Sequence, residues 1–315
     1  MNVILFFAIK KHNLTVVGVD ATYTKPLSSE YVTIGPGQTV NALLSANQKP
    51  DRYYIDARAY STGPNPVFDN STTTAIVQYR GKYTYSFPSL PSLPFYNDTN
   101  ATFTFFGNLK SLDDKYHPIG VPLDIGNRIM TMISKMKGLF LGSNSSKSSL
   151  YKILVMKIPA YIIFSKSIIS QAPDIGLRLF KRFGAIMNNI SFVSPSTVVL
   201  QAYYQHTNVN TTVEIVLQGT TLLGGIDHLI HLNGYNFYIV GFGFRNFDIY
   251  KYPLRYSLKD PPLQNTAVIP IDGWITMRFK IDNPERHMTW GMKTIFIVKD
   301  GEQPDESPPP DIPPC

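Results

Sequence analysis

Short runs of β-branched and aromatic residues, cut repeatedly by Gly, Pro and Asn, leave this chain little choice but a sheet fold. Tyr and Phe (19 each) suit pleated, half-buried strands, while Pro (24) and Gly (21) mark turns. Strands are predicted at residues 3–9, 14–20, 39–44, 52–60, 73–79 and 101–106. Turn signals separate them at Gly35-Pro36-Gly37, at 47–51 and at Gly63-Pro64-Asn65-Pro66. A second series is predicted at 189–193, 198–204, 212–217, 235–240, 265–270, 274–281 and 293–299. This cadence predicts Greek-key β-sandwiches, and 315 residues suffice for two. Pro88, Pro91 and Pro94 predict an extended connection, and the proline-rich tail 307–315 an exposed strap.

The net charge of +7 invites a nucleic-acid reading, but its distribution argues against one. Residues 134–183 hold nine Lys and Arg against the single acid Asp174, which exceeds the charge of the whole chain. The basicity is therefore local, and it lacks the regular aromatic interleaving of single-strand binders. Lys152, Lys157 and Lys166 interrupt the apolar runs there, so no membrane span is expected. Pro159 and the serines argue against an amphipathic surface helix. Neither nucleic acid nor membrane is an expected partner.

Seven N-x-S/T sequons begin at Asn13, Asn70, Asn97, Asn100, Asn144, Asn189 and Asn210. Their density favours a secreted glycoprotein. No signal peptide is visible before Lys11, so an N-terminal truncation is expected. The single cysteine, Cys315, excludes an internal disulfide; it is either an incidental terminal thiol or a bridge to a partner or to another part of the chain.

The six histidines are His12, His117, His206, His228, His231 and His287. His228 and His231 are three apart, so on an extended chain they face opposite ways and would serve different sites. By spacing alone, ordinary surface histidines are the better expectation. Their context changes that. The stretch from His12-Asn13-Leu14-Thr15 to Asp20-Ala21, then Tyr23-Thr24-Lys25-Pro26, resembles the plant laccases, secreted multicopper oxidases. Pro36-Gly37-Gln38-Thr39, Phe68-Asp69-Asn70-Ser71-Thr72, Thr212-Val213-Glu214-Ile215, Gly234-Tyr235-Asn236-Phe237, Gly243-Phe244-Arg245-Asn246, Asp260-Pro261, Asn265-Thr266, Asp282-Asn283-Pro284 and the Pro-rich end are similar to that family too.

The resemblance implies an all-β chain of two cupredoxin-like Greek-key β-sandwich domains, 1–118 and 119–315, the second incomplete. It covers the chain except residues 134–183, an irregular insert of no family character for which translated non-coding sequence is expected. The family oxidises phenols one electron at a time, reduces O2 to water and uses copper. His228 and His287 fall at type 1 copper positions, Met292 at the axial type 1 position and His231 at a type 2 position. Asn233 stands where the family has a type 3 histidine, and Leu229 where it has proline. Between Pro284 and His287 only Glu285 and Arg286 remain, so the family's His-Cys-His core is absent. A blue site needs a thiolate beside two histidines. No intact catalytic set is therefore expected, and the family activity is expected to be lost. The alternative is a non-enzymatic relic that binds copper weakly. By resemblance the partners are phenols and O2, the location is the apoplast, and Cys315 would bridge to a first domain missing from this chain.

Overall fold

The computed structural model describes residues 3–62, 71–84, 86–137, 149–156, 205–208, 211–220, 226–232, 234–282 and 296–299. The backbone alone is described at 131–137, 149–156, 205–208, 220 and 296–299. The first half of the chain holds β1 (Ile4–Ile9), β2 (Leu14–Val19), β3 (Thr22–Ser29), β4 (Val32–Ile34), β5 (Val40–Leu44), β6 (Arg52–Tyr60), β7 (Thr73–Gln78) and α1 (Thr99–Asn108). Two sheets form, ordered β4-β1-β6-β7 and β3-β2-β5. Neighbours distant in sequence, such as β1 beside β6, are the crossings a Greek key requires. Val16, Val19, Tyr53, Phe105 and Leu109 fill the core of this half.

The second half holds β8 (Asn127–Lys137), β9 (Ser149–Met156), β10 (Gln205–Asn208), β11 (Thr212–Thr220), β12 (His228–His231), β13 (Phe237–Phe244), β14 (Leu263–Gln264), β15 (Thr266–Ile269), β16 (Gly273–Lys280) and β17 (Phe296–Lys299). Its main sheet is ordered β14-β13-β16-β11-β8-β9, with a separate β12-β15 ribbon and a parallel β10-β17 pair. Strand β16 is buried at every position but its last, so it is covered on both faces. The charges it buries are neutralised. Glu214 on β11 lies opposite Arg128 on β8 and Arg278 on β16. Its carboxylate accepts from Arg128 Nε at 2.6 Å and from Arg278 Nε at 2.8 Å.

Three sequence expectations meet the structure differently. Residues 101–106, predicted as a strand from their alternation, lie in helix α1. The Asp98 carboxylate caps its first turn, accepting the Ala101 N–H at 2.8 Å, and the helix buries Thr102, Phe103 and Phe105. An N-cap and burial on one face outweigh a six-residue period-two pattern. Within the basic segment the described backbone is strand: β9 runs antiparallel to β8, pairing Lys137 with Ser149 and Met130 with Met156. The strands predicted at 189–193 and 198–204 lie outside the described residues.

The halves meet through a mixed core. Ile4, Phe6, Tyr60 and Phe103 of the first half pack with Val268 of the second, and Leu229 joins them. Both Leu229 and Val268 belong to the β12-β15 ribbon, which also carries the two candidate histidines.

Candidate metal centre

Strand β12 is four residues long, with His228 at its first position and His231 at its last. It pairs antiparallel with β15, which sets His228 opposite Ile269 and His231 opposite Thr266. The two imidazoles emerge on opposite faces, as their spacing predicted. His228 is buried, at 4% exposure, whereas His231 is exposed. They cannot chelate one ion together. Each is a single donor, pointed into a different environment.

Both ends of the ribbon are tied to the first half of the chain through carboxylates, the buried Asp20 and the half-buried Asp227. At one end, Asp20 follows β2 with a left-handed backbone, φ 49°. Asp tolerates this conformation better than most side chains. Its Oδ1 accepts the Thr39 N–H at 3.0 Å, and its Oδ2 accepts the N–H groups of Asn265 (3.1 Å) and Thr266 (3.2 Å). Gln38 adds a second clamp: its Nε2 donates to the Thr266 carbonyl at 3.0 Å, while its Oε1 accepts the Gly35 N–H. A Cβ at Gly35 would lie 2.8 Å from the Leu229 side chain and 2.9 Å from Gln38 Oε1, so a larger residue there would have to displace both. At the other end, Asp227 accepts the Thr62 hydroxyl at 2.8 Å and the Ile271 N–H at 2.6 Å. Burial pushes the Asp227 carboxyl above the usual carboxylate range, although these donors pull it back.

Thr266 carries the clamp through to His231. Its hydroxyl donates to the Asn265 side-chain oxygen at 3.0 Å. The same oxygen must then accept from His231 Nδ1, 2.8 Å away. That hydrogen bond selects the Nδ1–H tautomer and leaves the lone pair on Nε2. A second group that fixes the tautomer of an imidazole is the usual accompaniment of a metal ligand.

The other histidines are occupied differently. His12 is buried: its Nδ1 donates to the Lys10 carbonyl at 2.7 Å, so its Nε2 accepts from Tyr79 Oη at 2.7 Å. His117 pairs with Asp114 on the surface at 2.9 Å. His206 lies on β10, where the backbone alone is described. His287, Met292 and Asn233 lie outside the described residues. Among the described residues no group of three or more His, Cys, Asp or Glu side chains is placed to hold a metal ion.

Two stretches match family models described as multicopper oxidase, residues 1–82 and 177–302. The chain is 39% identical to Laccase-14 of Arabidopsis thaliana over 360 aligned positions, spanning 99% of this chain and 58% of that protein. It is 37% identical to Laccase-2 of Oryza sativa subsp. japonica, again over 99% of this chain and 58% of the relative. The chain belongs to the multicopper oxidase family. Its fold is similar to the laccase from Botrytis aclada (TM-score 0.54, 20% identity, 90% of this chain and 46% of that one). It is also similar to Fet3p, a multicopper oxidase that functions in iron import (TM-score 0.56, 16% identity, 94% and 53%). The second family match begins at residue 177, inside the basic segment.

Copper is the cofactor of a multicopper oxidase, and the residues of this chain fit it only in part. His231, with Nδ1 tied and the lone pair on Nε2, fits one imidazole ligand to copper. His228 supplies a second imidazole on the opposite face. The trigonal blue site also requires a thiolate, and the sole cysteine is Cys315, not a residue of a His-Cys-His core. The spacing of the two histidines already implied opposite faces of one strand. Sequence reasoning did not find Thr266, Asp20, Gln38 or Asp227, although the first three lie in family-like stretches. The sign of a left-handed Asp at a strand end is too weak to be read without coordinates.

Proposed function

We propose that this chain is a laccase-type copper scaffold that presents single ligands to two separate copper sites and does not itself oxidise phenols. The observation that carries this is the disposition of His228 and His231 on opposite faces of one four-residue strand, in a chain without the His-Cys-His core. The family chemistry is one-electron oxidation of phenols coupled to reduction of O2 to water, and its relatives here are laccases. A blue copper site would need a thiolate beside two histidines, and with no His-Cys-His core the residues named here would supply imidazole alone. What remains is weak copper binding through imidazole. His287 and Met292 complete the type 1 positions in this reading, and the halves divide at residues 118 and 119. The seven sequons support secretion to the apoplast. Among the described residues no helix is long and apolar enough to cross a membrane.

Oxygen uptake by the copper-supplemented full chain, with a simple methoxyphenol as reductant, tests the proposal. Uptake should equal that of the same free copper without protein. Saturable, phenol-dependent uptake above that control would overturn it.

A further inference from the structure

Away from the β12-β15 ribbon, Phe95 leaves 63% of its surface in water. A phenyl ring held in a fixed, uncovered position is a candidate contact surface. Its backbone is ordered by a turn: the Phe95 carbonyl accepts the Asp98 N–H at 2.9 Å, with Tyr96 and Asn97 at the centre. The turn is anchored on both sides. The Tyr96 carbonyl accepts the Ser61 N–H at 2.8 Å, and Asp98 caps α1. The Tyr96 ring lies 4.7 Å from the Phe95 ring and backs it. Asn97, third in the turn, is exposed, and no described residue hydrogen-bonds its carboxamide. Thr99 follows two residues later and completes Asn97-Asp98-Thr99.

We propose that Asn97 carries an N-linked glycan whose first sugar, an N-acetylglucosamine, packs its C–H face on the ring of Phe95. The donor is the lipid-linked oligosaccharide of the secretory pathway. Asn97 Nδ2 forms a bond to C1 of the donor sugar and loses a proton. The C1–O bond breaks, and the lipid pyrophosphate leaves. A pyranose has an apolar C–H face, and the negative face of an aromatic ring attracts it while both lose contact with water. Two residues apart across a closed turn, Asn97 and Phe95 are within reach of one hexose. The other described sequon asparagines, Asn13 and Asn100, are also exposed. Two residues before them stand Lys11 and Asp98, not an aromatic residue. The proposal rests on the secretory part of the functional reading and is independent of copper.

The test uses the full chain made through the secretory pathway of plant cells, as wild type, F95A, N97Q and the double variant. Glycopeptide mass spectrometry should find Asn97 modified in most molecules. F95A should lower its occupancy severalfold and leave Asn13 unchanged. F95A should also lower Tm at least twice as much in the wild-type background as in N97Q. Asn97 unmodified while Asn13 is modified overturns the proposal, as do equal Tm shifts in the two backgrounds. No glycan at any sequon overturns the secretory reading, and the proposal with it.

Discussion

At the scale of single residues, two side chains carry consequences out of proportion to their size. Asp56 on β6 is fully buried, and neither carboxylate oxygen has a hydrogen-bond partner. Its neighbours across the sheet are Ala8 and Thr74, which offer it no charge. Burial raises its pKa, and the positive charge of Arg58 only partly offsets this. A carboxyl whose folded pKa is raised stabilises the fold fully below the unfolded value of about 3.9, and that stability is lost as pH rises through the folded value. Asp56→Ala should therefore stabilise the chain by ~1–3 kcal/mol at neutral pH and flatten this part of the pH profile. Denaturant unfolding between pH 3 and 8 measures both, and a variant less stable than wild type at pH 7 contradicts the reading. Thr266 matters for a different reason, since its hydroxyl holds His231 Nδ1. Thr266→Val keeps the shape and removes the acceptor. Copper affinity at His231 should fall ~10-fold, the lower end for loss of a group that orients a ligand. Nitrogen-15 shifts of the ring should move from the Nδ1–H tautomer toward a mixture.

At the scale of elements, the main sheet of the second half is locked in register by charge. Glu214 sits between Arg128 and Arg278 on adjacent strands, and Arg278 is itself almost fully buried while its Nη1 donates to the Pro122 carbonyl. A one-residue slip of any of these strands would turn its own charged residue to the wrong face and break the set. Glu214→Gln should cost ~3–5 kcal/mol, because it leaves the buried Arg278 charge uncompensated. Thermal unfolding of the variant checks it. The β12-β15 ribbon is held instead by Asp20. Asn tolerates the same left-handed backbone, so Asp20→Asn removes charge with little strain. Hydrogen exchange at the Asn265 and Thr266 amides should accelerate selectively, and unchanged protection there would remove Asp20 from its role. Much of this architecture was legible beforehand: strands β2, β5, β6, β7, β11, β15 and β16 follow from β-branched and aromatic runs between turn residues. Helix α1 was not, because Ala101-Thr102-Phe103-Thr104-Phe105 alternates like a strand and only Asp98 marks its start. The three- and four-residue strands β4 and β12 also escaped, as did the polar strand β3, since each is held by its partner strand more than by its own composition.

At the scale of the whole molecule, the β12-β15 ribbon is a joint between halves. Its apolar side chains Leu229 and Val268 complete a core begun by Phe6, Tyr60 and Phe103, and its histidines ride on the same four residues. The candidate ligands were legible because imidazoles at a fixed spacing sit in family-like sequence. Their supports were not, because hydrogen bonds from Asn265 to Asp20, or from Thr62 to Asp227, join residues far apart in the chain. The chain spans 58% of the length of Laccase-14 and of Laccase-2, and the proposal is that this part is a scaffold with divided ligands. Titration of the full chain with Cu(II), followed by visible absorption and electron paramagnetic resonance, tests this most directly. Weak binding with spectra of imidazole-ligated copper, diminished by His231→Ala and by His228→Ala independently, is the expected result. An intense blue thiolate-to-copper band at one copper per chain would contradict it.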